Sequence, residues 1–242
     1  LKRPFSILFT CLLALSFLTA CGDDNSSGEP EASAESQDVS AILAAASTRI
    51  GETQTMKFTL EVEGTTMIDS SGTIQLLGAR GALARPNLVD VQFQIKLLGT
   101  QTASIKMITS GDQSWTTDLI SGNWGPAPAE FGYDPSRLFD TQDGLGPVMG
   151  KVENAQLVGS ESVGDRESWH IRGTVLDDVI GPITAHTMNG EAVTLDLWVD
   201  KETSDLLRIR LSEPTDEGIE DPATWTMELR EHDEPVTIDP PI

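Results

Sequence analysis

VDVQFQIKLLGTQTASIKM, residues 89–107, decides the fold. Val89, Val91, Phe93, Ile95 and Leu97 alternate with Asp90, Gln92, Gln94 and Lys96. Gly99-Thr100 makes a turn, and Ala103, Ile105 and Met107 resume the alternation. Successive side chains of a strand point to opposite faces, so this pattern is a hairpin with one buried and one wet face. The same period runs through Met56–Val62, Trp169–Val175, Val193–Val199, Leu207–Leu211 and Trp225–Leu229. Turns fall at Glu63-Gly64, Ser110-Gly111-Asp112, Gly164-Asp165 and Asp200–Ser204. The reading is a mainly β protein of the α+β class: an antiparallel sheet of about ten strands, too many to stay flat without curling. Trp115, Trp169 and Trp225 fall in step with inward residues. Trp198 falls out of step and is placed on the outer face, and Trp124 over one end of the sheet.

Helical spacing breaks into this pattern at four places. Val39, Ile42, Leu43, Ala46 and Ile50 line one helical face, with Asp38 or Ser36 as the cap and Gly51 in the left-handed position after the end. A second helix starts at Tyr133-Asp134-Pro135-Ser136, with Tyr133 stapled to Leu138. Residues 144–152 and 177–189 form further short pieces, rich in glycine and interrupted by Pro147 and Pro182. A sheet with one apolar face needs a cover. Short, glycine- and proline-broken helices predict a loose one, compatible with a dry core or with an apolar space.

Residues 1–20 run from Lys2 and Arg3 through an apolar stretch, Phe5–Leu18, to Leu18-Thr19-Ala20-Cys21. That order predicts a lipoprotein signal peptide cleaved before Cys21, whose thiol takes the lipid; the apolar run is shorter than a spanning helix requires. Residues 22–38 lack large apolar side chains and read as an acidic linker of roughly 20–25 Å average span. Residues 39–242 are then the folded domain, held at the outer face of a bacterial cytoplasmic membrane. The other cysteine, Cys11, would leave with the signal, so no disulfide is expected. The formal charge is −22 from 16 basic and 38 acidic residues, and loss of Lys2 and Arg3 makes it −24. Such a body is repelled by phosphate backbones, which argues against nucleic acid as a partner.

Residue patterns for catalysis or metal binding are missing. There is no G-x-S-x-G nucleophile turn, and zinc-type spacing is absent. His170 alternates with Trp169 and Ile171, which predicts a surface histidine; His186 and His232 are far away in sequence. Residues 200–205 lack the ligand alternation of a calcium loop. Pro147 removes an amide that a phosphate loop at Gly144–Gly150 would use. Acid-rich 213–221 reads as a solvated loop. The expectation is therefore no enzyme, no cofactor and no metal.

Trp124, Tyr133-Asp134-Pro135-Ser136, Gly144-Leu145, Val152-Glu153-Asn154-Ala155 and Gly173-Thr174-Val175 follow one another much as in the LppX/LprAFG lipoproteins, and Trp225–Leu229 with the Pro240-Pro241-Ile242 tail resembles that family's ending. The resemblance covers roughly residues 38–242, apart from a longer acidic excursion at 213–222 and the Gly181-Pro182 break. It implies a strongly curved half-barrel sheet, similar to the LolA/LolB carriers, with short helices on the concave face around an apolar cavity. It further implies binding of acylated lipids or lipoglycans, their transport across the cell envelope, and a membrane transporter as a possible partner. Periodicity then nominates the cavity residues: Phe58, Leu60, Phe93, Ile95, Ile105, Met107, Leu138, Leu145, Val148, Met149, Ile180, Leu195 and Leu197. The alternative is a non-enzymatic interaction lipoprotein with a dry core and an acidic docking surface.

Overall fold

The computed structural model describes residues 38–241 except 70, 129–134 and 216. Cys21, the signal segment and the acidic linker lie outside the described residues, as do Tyr133 and Asp134. Helix α1 (Val39–Glu52) leads into β1 (Thr55–Glu63), β2 (Ile74–Ala84), β3 (Leu88–Leu97), β4 (Gln101–Ser110), β5 (Gln113–Thr117) and β6 (Trp124–Pro126). A 3-10 helix (Pro135–Phe139) and α2 (Leu145–Met149) follow. The chain then runs through β7 (Glu153–Val163), β8 (Arg166–Leu176), α3 (Asp177–Thr184), β9 (Ala192–Asp200), β10 (Leu206–Ser212) and β11 (Thr224–Arg230).

All eleven strands join one open sheet in the order β6-β5-β4-β3-β2-β1-β11-β10-β9-β8-β7. Every pairing is antiparallel. Two meanders, β1–β6 and β7–β11, are thus sewn together by β1 and β11, with Leu60 opposite Met227 and Val62 opposite Trp225. The two edge strands, β6 and β7, are neighbours in sequence. Flat, eleven strands would span about 48 Å at about 4.8 Å each. Residues 127–152 must bridge from one edge to the other, and in doing so they lay the 3-10 helix and α2 over the sheet's concave, apolar face.

The alternation read from the sequence is the register that forms. Phe58, Leu60, Val91, Phe93, Ile105, Met107, Ile171, Leu195, Leu197, Met227 and Leu229 all enter one core with α1 and the short helices. Asp38 caps α1, its carboxylate accepting from Ser40 N–H at 3.0 Å. Arg85, in the β2–β3 turn, fastens the cover to the sheet: its guanidinium donates to the carbonyls of Thr53 (2.8 Å), Ile50 (3.2 Å) and Phe139 (2.9 Å) and lies over the Phe139 ring. It thereby satisfies carbonyls that the end of α1 leaves open.

Several expectations are corrected. Gly51 lies inside α1, and the helix ends on Thr53 with φ −58°, because Thr53 N–H and Oγ1 both donate to Arg49 O. Strand β2 escapes the period-two reading because a bulge between Leu76 and Gly78 shifts its phase. A bulge between Leu206 and Arg208 puts Leu206, rather than Leu207, in the main core. Trp115 pairs with Ile108 on the outer face, since the Gly111-Asp112 turn sets β5 one step out of the assumed phase. The third helical piece stops at Thr184, where Ala185 takes the left-handed conformation. The cover is also tighter than its glycines suggested at one point. Gly146 meets α1 so closely that a Cβ there would lie 3.0 Å from Ile50 Cγ2, and Ser47 Oγ donates to its carbonyl at 2.8 Å.

Candidate functional site

Between the sheet and its cover lies a cavity of about 430 Å³, within the roughly 300–1,000 Å³ typical of small-molecule sites. Its floor is Phe58 and Leu60 of β1, Leu76 and Ala79 of β2, Phe93 of β3, Met107 of β4, and Trp225 and Met227 of β11. Its roof is Pro135 of the 3-10 helix, Pro182 and Thr184 of α3, and Ala185 and Thr187 beyond it; Ile68 closes one end. Arg137 and His186, both exposed, stand on its lining.

Apart from Arg137 and His186, the polar side chains of this wall are engaged elsewhere, so most of it presents carbon. Trp225 Nε1 donates to Thr66 Oγ1 at 3.0 Å, which leaves the indole face to the cavity. Thr184 Oγ1 donates back to Ile180 O at 3.2 Å, and Thr187 Oγ1 to Thr184 O at 2.6 Å. The roof is short on purpose-built helix: Pro182 has no N–H to donate, and Ala185 and His186 both take φ of +54°. Those two residues turn the chain so that the His186 ring lies on Gly181, where a Cβ would come within 2.2 Å of Nδ1. Only glycine leaves room for that ring.

All thirteen residues nominated from periodicity are buried in the core. Phe58, Leu60, Phe93 and Met107 line the cavity. Leu138 and Leu145 line a much smaller space beside it, of about 20 Å³. Ile95, Ile105, Val148, Met149, Ile180, Leu195 and Leu197 pack in the surrounding core rather than on the cavity wall. Leu76 and Ala79 were hidden by the β2 bulge, and 184–187 carry no periodicity at all. The paired positive-φ residues follow a proline-broken helix, and that break was the one signal pointing to them.

The histidines resolve differently from the sequence reading. His170 is buried on the outer face of the sheet, not at the surface. Its Nε2 lies 2.6 Å from Asp196 Oδ1 and its Nδ1 2.8 Å from Glu161 Oε1, and the ring stacks on Trp198 at 4.3 Å. Trp198 is on the outer face as read, yet buried, with Nε1 donating to Glu161 Oε2 at 2.8 Å. An imidazole with both nitrogens held by carboxylates offers none to a substrate, so this group braces β7, β8 and β9. His232 is buried beside Asp205, donating through Nε2 to Leu206 O at 3.1 Å. Around Asp205, Arg49 (2.7 Å) and Arg166 (2.8 Å) tie α1 to the β9–β10 turn, and Arg49 reaches Asp233 at 2.7 Å. Among the described residues no cluster of His, Cys, Asp and Glu could hold a metal, and no helix is long and apolar enough to cross a membrane.

Comparison with known proteins gives this geometry a context. A family profile described as LppX_LprAFG lipoprotein matches residues 38–238. A protein of Mycobacterium tuberculosis named "Putative diacylated glycolipid transporter LprF" is 33% identical over 73 residues, which is 30% of this chain and 28% of the relative's length. The Mycobacterium bovis protein of that name matches equally. The crystal structure of LprF from Mycobacterium bovis superposes with a TM-score of 0.67 at 19% identity, covering 84% of this chain and 96% of LprF. That of Mycobacterium tuberculosis LppX gives 0.59 at 13% identity, over 83% and 98%. At these identities the structural likeness speaks for the fold.

Proposed function

We propose a function from one premise: this chain belongs to the LppX/LprAFG lipoprotein family. It carries a lipid or lipoglycan between membranes of the cell envelope, with the acyl part of the cargo in the cavity over β1–β4 and β11. The observation that bears most of this reading is the cavity itself: a mostly apolar wall, with Arg137 and His186 as its exposed polar side chains, roofed by a five-residue 3-10 helix and a proline-broken α-helix. Each methylene moved from water into such a space contributes about 0.8 kcal/mol, so a long chain gains around 10 kcal/mol before entropic costs. The relatives' name, a diacylated glycolipid transporter, supports the same class of cargo.

Arg137 and His186 stand where a head group would emerge. The carrier acts without bond chemistry, outside the cytoplasm, tethered by a lipid on Cys21, and a membrane transporter is a natural partner. The cavity between sheet and roof favours this reading over an acidic docking module with a dry core.

Native mass spectrometry of the chain purified from a lipid-rich host tests this. A retained lipid mass is expected, displaced by a fluorescent acyl probe. A chain that is always lipid-free and takes up no probe would sink the reading.

A further inference from the structure

Six large apolar side chains are exposed among the described residues: Met67, Leu98, Leu119, Ile120, Val158 and Leu176. Register places all but Val158 at one end of the sheet. Ile74 pairs with Leu97 and Leu97 with Gln101, so the β1–β2 loop and the β3–β4 turn share that end. Strand β5 runs toward it and delivers the β5–β6 turn. The cavity reaches the same end, because Ile68, next to Met67, lines it.

We propose that this end is the face the chain sets into a lipid bilayer of zwitterionic head groups. Leu98 and Ile120 lead, at 76% and 97% exposure. Leu98 sits in a β-turn closed by Thr100 N–H to Leu97 O, with φ of +48° at Leu98 and +72° at Gly99. A turn of that hand favours Asn-Gly. Leucine there costs both backbone strain and exposed apolar surface, and nothing within the fold repays it.

Ile120 is held out by a built turn, not a slack one. Asp118 Oδ1 accepts from the N–H groups of Ile120 (3.1 Å) and Ser121 (2.7 Å) and from Ser121 Oγ (2.8 Å). Asp69 braces the β1–β2 loop in the same manner, accepting from Thr73 and Ile74 N–H. Single apolar side chains standing on separate rigid turns suit a fluid medium better than a flat protein partner, which would need a continuous patch.

Charge selects the kind of bilayer. Residues 55–126, which own four of these side chains, carry five basic residues (Lys57, Arg80, Arg85, Lys96, Lys106) against six acidic ones (Glu61, Glu63, Asp69, Asp90, Asp112, Asp118). Residues 153–241 carry six against twenty-one, and their acid-rich 213–221 loop opens at the same end. Anionic lipid is therefore repelled on one side, while a zwitterionic surface admits the neutral side.

The test uses the full chain on phosphatidylcholine vesicles, with an environment-sensitive fluorescent amino acid at 98, 120 or 158. Quenching by an aqueous quencher should fall several-fold at 98 and 120 and stay unchanged at 158, and anionic lipid should reverse the effect. The pair Leu98→Asp and Ile120→Asp should leave position 67 fully aqueous while acyl-probe uptake in solution persists. That last readout separates this inference from the carrier reading. Labels at 98 and 120 as wet as at 158 would overturn it and favour a protein partner.

Discussion

The cavity lies against the first meander and β11, whereas the far part of the second meander, β7–β9, packs dry. Strands β1–β4 give six side chains to the cavity wall; β7, β8 and β9 give none. On β8 and β9 the inward residues Ile171, Val175, Val193, Leu195, Leu197 and Val199 are closed over completely. The alternation in sequence is the same in both halves. What differs is the opposite layer. Helices α1 and α2 pack through the close Gly146 contact, α1 against β7 and α3 against β8. Opposite β3 stand the 3-10 helix Pro135–Phe139 and, across the cavity, the proline-broken end of α3. A strand's own pattern decides which face is apolar; the layer across from it decides whether that face is dry.

This contrast can be broken first by truncation. Leu195→Ala, in the dry half, should cost about 3 kcal/mol in urea unfolding, the transfer energy plus an unrelaxed void. Phe93→Ala, on a wall that already borders empty space, should cost roughly half as much. Equal losses would mean that the cavity is closed in solution.

Next, Asp205→Ala should cost about 2–3 kcal/mol, because it strips Arg49 and Arg166 of a buried partner. The same cluster gives a pH dependence. Burial pushes His232 below its ordinary value, against the pull of Asp205. Burial also works against Asp205, but Arg166, His232 and Arg49 together hold its carboxyl below the usual range. Both folded-state values are depressed, so their contributions are full at neutral pH and are lost on acidification. Loss begins below about pH 6.5, where unfolded histidine takes a proton, and continues below about 3.9 for the aspartate. Denaturation midpoints between pH 8 and 4 for wild type and His232→Gln should diverge at the first step, with the wild type losing more.

Arg85→Ala should cost about 2 kcal/mol, since three carbonyls lose a charged donor. It should also hasten escape of a bound acyl probe by loosening the 3-10 helix from the sheet. The smallest stability change is expected from Ala79→Phe, within about 1 kcal/mol, because the new ring fills space rather than displacing atoms. Probe uptake should nevertheless fall sharply, and unchanged uptake would place the cargo elsewhere.

The strands were legible where each carried an unbroken apolar stripe, as in β3 and β9. They were not legible where a bulge shifts the phase, as at Leu76–Gly78, or where both faces are wet, as on edge strand β7. His170 misled because alternation assigns a face, not an environment: the outer face of β8 is covered by Glu161, Trp198 and Arg172. The cavity floor was read through Phe58, Leu60, Phe93 and Met107. The roof's short helices were read as well, but not its 184–187 segment, which owes its place to two left-handed residues and to a glycine that seats an imidazole, neither of which leaves a periodic trace.

The strand order has a consequence for how the chain assembles. Every adjacent pair in the sheet is also consecutive in sequence, except β1 with β11. Each meander can therefore zip up from local hairpins, and one distant closure, at the middle of the sheet, remains to be made. That closure carries the loop entropy of nearly the whole domain and is expected to be the slow step. A permuted chain, opened between β6 and β7 and joined from β11 back through α1 to β1, would be one continuous meander from edge to edge. It would reach the same sheet with no long-range pairing left to find.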